Sequence, residues 1–118
     1  MALLIVSAQA VSGAASPGTA GPAFLAASVT DADGRPVAAI PEAAFTFFAV
    51  IAPGGVSEPM TGLLNNDPGP RGLYMFSLFR GAAAPTDVWD AGSYVVSVAI
   101  ADTAGQGQAL AAFHISSK

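Results

Sequence analysis

Clusters of glycine, proline, asparagine and aspartate interrupt this chain at short intervals, and that punctuation limits it to short extended segments. They are "SPGTAGP" (Ser16 to Pro22), "DADGRP" (Asp31 to Pro36), "APGG" (Ala52 to Gly55), "NNDPGPRG" (Asn65 to Gly72), "GAAAPTDVWDAG" (Gly81 to Gly92) and "DTAGQG" (Asp102 to Gly107). Glycine and proline break both helices and strands, so ordered elements must fit between these clusters. No remaining segment carries a clear 3.6-residue apolar stripe. A single helical turn is expected at most, at "PEAAF" or "TDVW".

What lies between the turns is apolar, aromatic or β-branched, with period two. "SYVVSVAIA" sets Tyr94, Val96, Val98 and Ile100 on one face, with Val95, Ser97, Ala99 and Ala101 on the other. That pattern is a strand with one face in a core. "ALAAFHISS" sets Ala109, Ala111, Phe113 and Ile115 together, and "GLYMFSLFR" does the same with Tyr74, Phe76 and Leu78. "AFTFFAVIA" aligns Phe45, Phe47, Ala49 and Ile51, leaving Phe48 and Val50 outside. "FLAASVT" and "LLIVSAQAV" complete the set. The latter reads as a strand and not a signal peptide, because its apolar run is short and no basic residue precedes it. Tyr94, Val96, Val98 and Phe113 are expected in the core. Six or seven strands separated by turns predict an antiparallel β-sandwich, and 118 residues suit one domain spanning 1–118.

Composition removes whole classes of function. Only 10% of residues are charged, against roughly 25% in an ordinary domain. Arg35, Arg71, Arg80 and Lys118 are the basic residues, they are scattered, and net charge is −4. Nucleic acid and anionic membrane surfaces are therefore not expected partners. No cysteine is present, which excludes thiolate zinc sites and disulfides. No apolar run reaches the roughly 18 residues of a membrane-spanning helix.

"VTDADGRPVAAIPEAAFTFF" resembles the opening of many bacterial immunoglobulin-like modules. There a strand ends in a D-x-D-G turn, Pro-Val follows, and a hydrophobic–x–x–x–x–Phe step (here Ile40 to Phe45) enters the next strand. "WDAGSYVVSVAIADTAGQG" is similar to their penultimate strand, its turn and the entry to the last strand. The likeness runs from about Phe24 to Ile115 and extends to macroglobulin-like, fibronectin-III-like and transthyretin-like domains. It implies a single immunoglobulin-like β-sandwich of about seven strands and an extracellular, cell-surface or particle-associated setting.

Candidate sites are few. Asp31 and Asp33, followed by Gly34, either ligate a cation or turn the chain. Calcium needs several converging oxygen ligands, and "DADG" supplies only part of such a set. Successive loops of an antiparallel sandwich alternate between its ends. "DADGRP", "NNDPGPRG" and "DTAGQG" are therefore expected at the same end, gathering Asp31, Asp33, Asn65, Asn66, Asp67 and Asp102. The candidate metal set is Asp31, Asp33, Asp67 and Asp102, for calcium, or for a carbohydrate held through it. Solvated turns are the competing explanation.

No catalytic set is expected. His114, the single histidine, falls on an outward position with no acid beside it in sequence, and Ser93 lacks the G-x-S-x-G setting of a nucleophile elbow. Glu42 and Glu58 lie in turn regions, and no cofactor-binding motif is present. Trp89 is expected to plug the end of the sandwich. Tyr94 is expected to bond loop backbone, as corner tyrosines do.

The outward set Phe48, Val50, Leu73, Met75 and Leu110 leaves apolar area that a lone domain would expose, which marks an interface. "LLIVSAQAV" and "ALAAFHISS" lack the lysine, proline and acidic residues that guard edge strands. The sequence therefore predicts a non-enzymatic structural or protein-interaction module that forms a homo-oligomer or binds another protein. The alternative is a ligand-binding module using the acidic loops.

Overall fold

The computed structural model describes residues 2–11, 17–18, 22–55, 57–66, 70–81 and 88–116. Its strands are β1 (Ile5–Val11), β2 (Ala23–Thr30), β3 (Phe45–Ile51), β4 (Glu58–Leu64), β5 (Leu73–Arg80), β6 (Gly92–Asp102) and β7 (Gly105–Ile115). Among the described residues the only helical pieces are two three-residue 3-10 segments, Glu42–Ala44 and Pro70–Gly72, the second broken by a left-handed Arg71 (φ 58°). The first is the single turn expected at "PEAAF".

All seven strands form one antiparallel sheet in the order β1-β2-β5-β4-β3-β6-β7. The sheet curls until its first and last members meet. The Leu4 amide donates to the Gln106 carbonyl (2.8 Å), and the Gln106 amide donates to the Ala2 carbonyl (3.0 Å). Leu3 and Gln106 thereby form a parallel bridge. The result is nearly barrel-shaped, because β3 and β4 also pair (Phe47 with Met60, Phe48 with Pro59, Ala49 with Glu58) and leave no clean break into two sheets. The two strands expected as open edges, "LLIVSAQAV" and "ALAAFHISS", do end the strand order. However, the residues just before β1 are already paired with the start of β7, so that end of the seam is sealed.

Alternation fixes the interior. Leu25, Ala27 and Val29 from β2, Tyr74, Phe76 and Leu78 from β5, and Tyr94, Val96, Val98 and Ile100 from β6 are all buried. Phe45 and Phe47 meet Phe76 edge-on at 4.8 and 4.9 Å between ring centroids. Phe47 sits over Gly62, where any Cβ would strike its ring. At the other end Trp89 is fully buried against Tyr94 and Phe113, at 5.1 and 5.7 Å. Trp89 is thus the expected plug. Phe113 points inward but is only half-buried, packing against the core from its margin.

Ile51 departs from its expected inward place. The β3–β6 register shifts between Ala49 and Ile51, and this bulge turns Ile51 outward, 55% exposed. An extra residue in one strand flips every later side chain, which period-two counting cannot foresee.

Two tyrosines tie loops to the barrel. The Tyr94 hydroxyl donates to the Asp90 carbonyl and accepts from the Asp90 amide, both at 3.0 Å. The Tyr74 hydroxyl donates to the Val37 carbonyl (2.7 Å) and accepts from the Ile40 amide (3.2 Å). It thereby brackets Ala39, which holds a left-handed φ of 65°. That conformation costs roughly 1–2 kcal/mol for a residue with a Cβ, and the two bonds from Tyr74 help hold it.

Candidate functional site

The antiparallel order brings three loops to one end. Residues 31–41 follow β2, Asn65 and Asn66 follow β4, and Thr103 and Ala104 join β6 to β7. The side chains of Asp31, Asn66 and Asp102 bond to nearby backbone, and Asn65 reaches a side chain on β5. Asp31 Oδ1 accepts from the Asp33 amide (2.9 Å) and the Arg35 amide (3.0 Å), while the Gly34 amide donates to the Asp31 carbonyl (3.0 Å). Gly34 takes a φ of 83°, which the turn requires. Asp102 Oδ2 accepts from the Ala104 amide (3.3 Å). Asn66 spans the loop, donating to the Leu73 carbonyl (3.0 Å) and accepting from the Met75 amide (3.2 Å). Asn65 donates to the Ser77 hydroxyl (2.8 Å).

This is turn chemistry. Among the described residues no group of three or more Asp, Glu, His or Cys is placed to hold a metal ion. Asp67 lies outside the described residues.

The opposite end carries a charge cluster that period-two reading passes over. Arg80 closes β5 on the inward phase of Tyr74, Phe76 and Leu78, where a cation needs partners. Its Nε meets Glu58 Oε2 at 2.7 Å and its Nη2 meets Glu58 Oε1 at 3.1 Å, a two-pronged pair. Its Nη1 reaches Asp90 Oδ2 (2.9 Å) and the Val88 carbonyl (3.0 Å). The guanidinium also stands 5.9 Å from the centre of the Tyr94 ring. Hydrogen bonding to Glu58 raises the Arg80 pKa further above its already high value, so this cation stays charged. The inward phase of Arg80 was the available signal in the sequence. Its partner Glu58, 22 residues away, was not readable.

His114 lies exposed on β7, its Nδ1 3.2 Å from the Ser93 hydroxyl on β6. No described acidic side chain bonds the ring. Among the described residues the pair has no third group of the kind that orients a catalytic base.

The sheet's outer surface has a different character. On β3, β6 and β7 it presents Thr46, Phe48 and Val50; Ser93, Val95, Ser97, Ala99 and Ala101; and Gln106, Gln108, Leu110, Ala112 and His114. On the other flank one register row reads Val11, Phe24, Ser77, Leu63 across β1, β2, β5 and β4. Among the described residues, no outward strand position carries a formally charged residue. Charges occupy loops, the inward-phase end of β6 (Asp102) or the Arg80 cluster.

Of the expected interface residues, Phe48, Val50, Leu73 and Leu110 are 38, 41, 45 and 59% exposed, and Met75 is half-buried. Phe48, Val50 and Leu110 share the β3-β6-β7 face, and Leu73 and Met75 stand apart on β5. Exposed Leu63 and Val11, and Ile51 beyond the bulge, were not foreseen as surface apolar residues.

Among the described residues no helix is long and apolar enough to cross a membrane. Compared with models of protein families and with curated proteins, the chain matches none.

Proposed function

We propose that this chain is a non-enzymatic structural or protein-interaction module of the immunoglobulin-like kind, and that it works by self-association. The order β1-β2-β5-β4 followed by β3-β6-β7 supports the fold part of this reading. It is the strand grouping of a seven-stranded immunoglobulin-like domain, here run together through the β3–β4 ladder. Tyr94, near the start of β6 with its hydroxyl bonded to the Asp90 backbone four residues upstream, fits the corner tyrosine of the same pattern, whereas the buried Trp89 precedes β6 and does not lie on β3.

The observation that carries the functional part is the uncharged outer surface. Surfaces built to stay soluble and unassociated carry charge of both signs, at roughly 25–35% of positions. Here the described strands present apolar and neutral polar side chains outward, with charge held at the two ends. Such a surface loses little on dehydration and gains from burial, at about 25 cal/mol per Å² of apolar area.

Light scattering tests the reading. The mass should rise with protein concentration, and added salt should not reverse the rise, because screening acts only on charge. Dissociation by moderate salt would mean that the charged loops, and not the sheet faces, hold copies together.

A further inference from the structure

The outer face of β3, β6 and β7 carries both projections and a hollow. Phe48, Ser97 and Leu110 form one register row across three strands, with the two large side chains standing either side of the serine. The next row in that direction is Thr46, Ala99, Gln108. There a shallow hollow of about 530 Å³ is lined by Leu3, Thr46, Ala99, Ala101, Gln106 and Gln108, among others. Two residues along a strand separate the rows by about 7 Å.

Resting on the self-association reading, we propose that this face docks against the same face of a second copy across a two-fold axis. The axis runs across the strands between the two rows. Each copy's Phe48–Ser97–Leu110 row then lies over the other's Thr46–Ala99–Gln108 row, which sets Phe48 over Thr46 in the opposing hollow and Leu110 over the Gln108 side of it.

Three observations select a second copy as the occupant. A two-fold contact is self-complementary, so one patch must hold both the projection and the recess that receives it. This face holds both, one row apart. Like copies also oppose like charges, and the chain carries −4 overall. Two copies can therefore meet without local repulsion where charge is missing, as it is on this face. The area is that of a weak contact between two copies. β6 and β7 each run 11 residues, about 36 Å at the usual rise. Three strands thus present roughly 400–500 Å² of projected sheet, little more than half the ~800 Å² per partner of a standard stable interface. The contact is a reversible dimer and not an obligate one.

Sedimentation equilibrium of the wild type and four variants tests this, with circular dichroism confirming that each is folded. Leu110→Lys, Leu110→Glu and Ala99→Phe should each raise the concentration of half-association at least tenfold. Leu63→Lys, on the opposite flank, should leave it unchanged. An equimolar mixture of Leu110→Lys and Leu110→Glu should regain association, which simple misfolding of either variant would not allow. If the wild type associates and Leu63→Lys disrupts it while Leu110→Lys and Ala99→Phe do not, the docking face is wrong and self-association stands. A wild type that stays monomeric at every concentration removes self-association and the docking face together.

Discussion

Phe48 and Leu110 lie on the outer face of the barrel in one register row, separated by Ser97. Ser97 itself is nearly covered, because Gln108 donates a hydrogen bond from its side-chain amide to the serine hydroxyl at 2.9 Å. Two large apolar groups thus flank a satisfied polar centre with no charge in the row.

Val98 tests the strand phase. It is fully buried on β6 and pairs with Phe47 and Ala109. Val98→Ala should cost about 1–3 kcal/mol by denaturant unfolding, from lost burial and the remaining cavity. The half-buried neighbour Val95 should tolerate the same change at well under half that cost. Equal costs would mean a register slipped by one residue.

Arg80→Lys retains the charge but not the fork. Lysine cannot make the two-pronged contact with Glu58 while also reaching Asp90 and the Val88 carbonyl. The pair is partly exposed, with side chains 14 and 20% accessible, so the expected loss is moderate, about 1–2 kcal/mol. An unchanged unfolding midpoint would show that the cluster adds nothing beyond its charge.

Much of this could be read before the structure, and the exceptions have causes. β6 was legible because Tyr94, Val96, Val98 and Ile100 alternate without interruption. The shared end of the Asp31, Asn65 and Asp102 loops was legible because antiparallel strands alternate in direction. Ile51 was misplaced because a bulge resets the phase and leaves no composition signal. The Leu3–Gln106 bridge and the Glu58–Arg80 pair join residues far apart in sequence, which period and spacing do not encode.

Asp31 should act through its turn and not through a cation. Removing its side chain takes away the acceptor for the Asp33 and Arg35 amides. Asp31→Ala should therefore lower stability by about 1 kcal/mol, equally with and without millimolar calcium. A wild-type melting point raised several degrees by calcium, and a rise lost in Asp31→Ala, would overturn this and restore the loop-end cation site.

Alkali should unfold the protein through its tyrosines. Burial raises the pKa of both Tyr74 and Tyr94, opposed in part by their hydrogen bonds to backbone. A raised folded pKa means the folded state holds its proton more tightly than the unfolded chain does. The resulting stability is complete below about pH 10, the unfolded value, and falls as pH rises toward the folded value. The chain has only these two tyrosines. Tyrosinate absorbance should therefore appear together with the loss of β circular dichroism. Tyrosinate forming first, in a fully folded protein, would contradict their burial.

The central claim, that copies of this chain associate through uncharged sheet faces, is tested most directly by mass in solution. Sedimentation equilibrium of the wild type from low micromolar to millimolar concentration should show the 11.7 kDa chain giving way reversibly to twice that mass. A single species of monomer mass across the whole range would contradict the account.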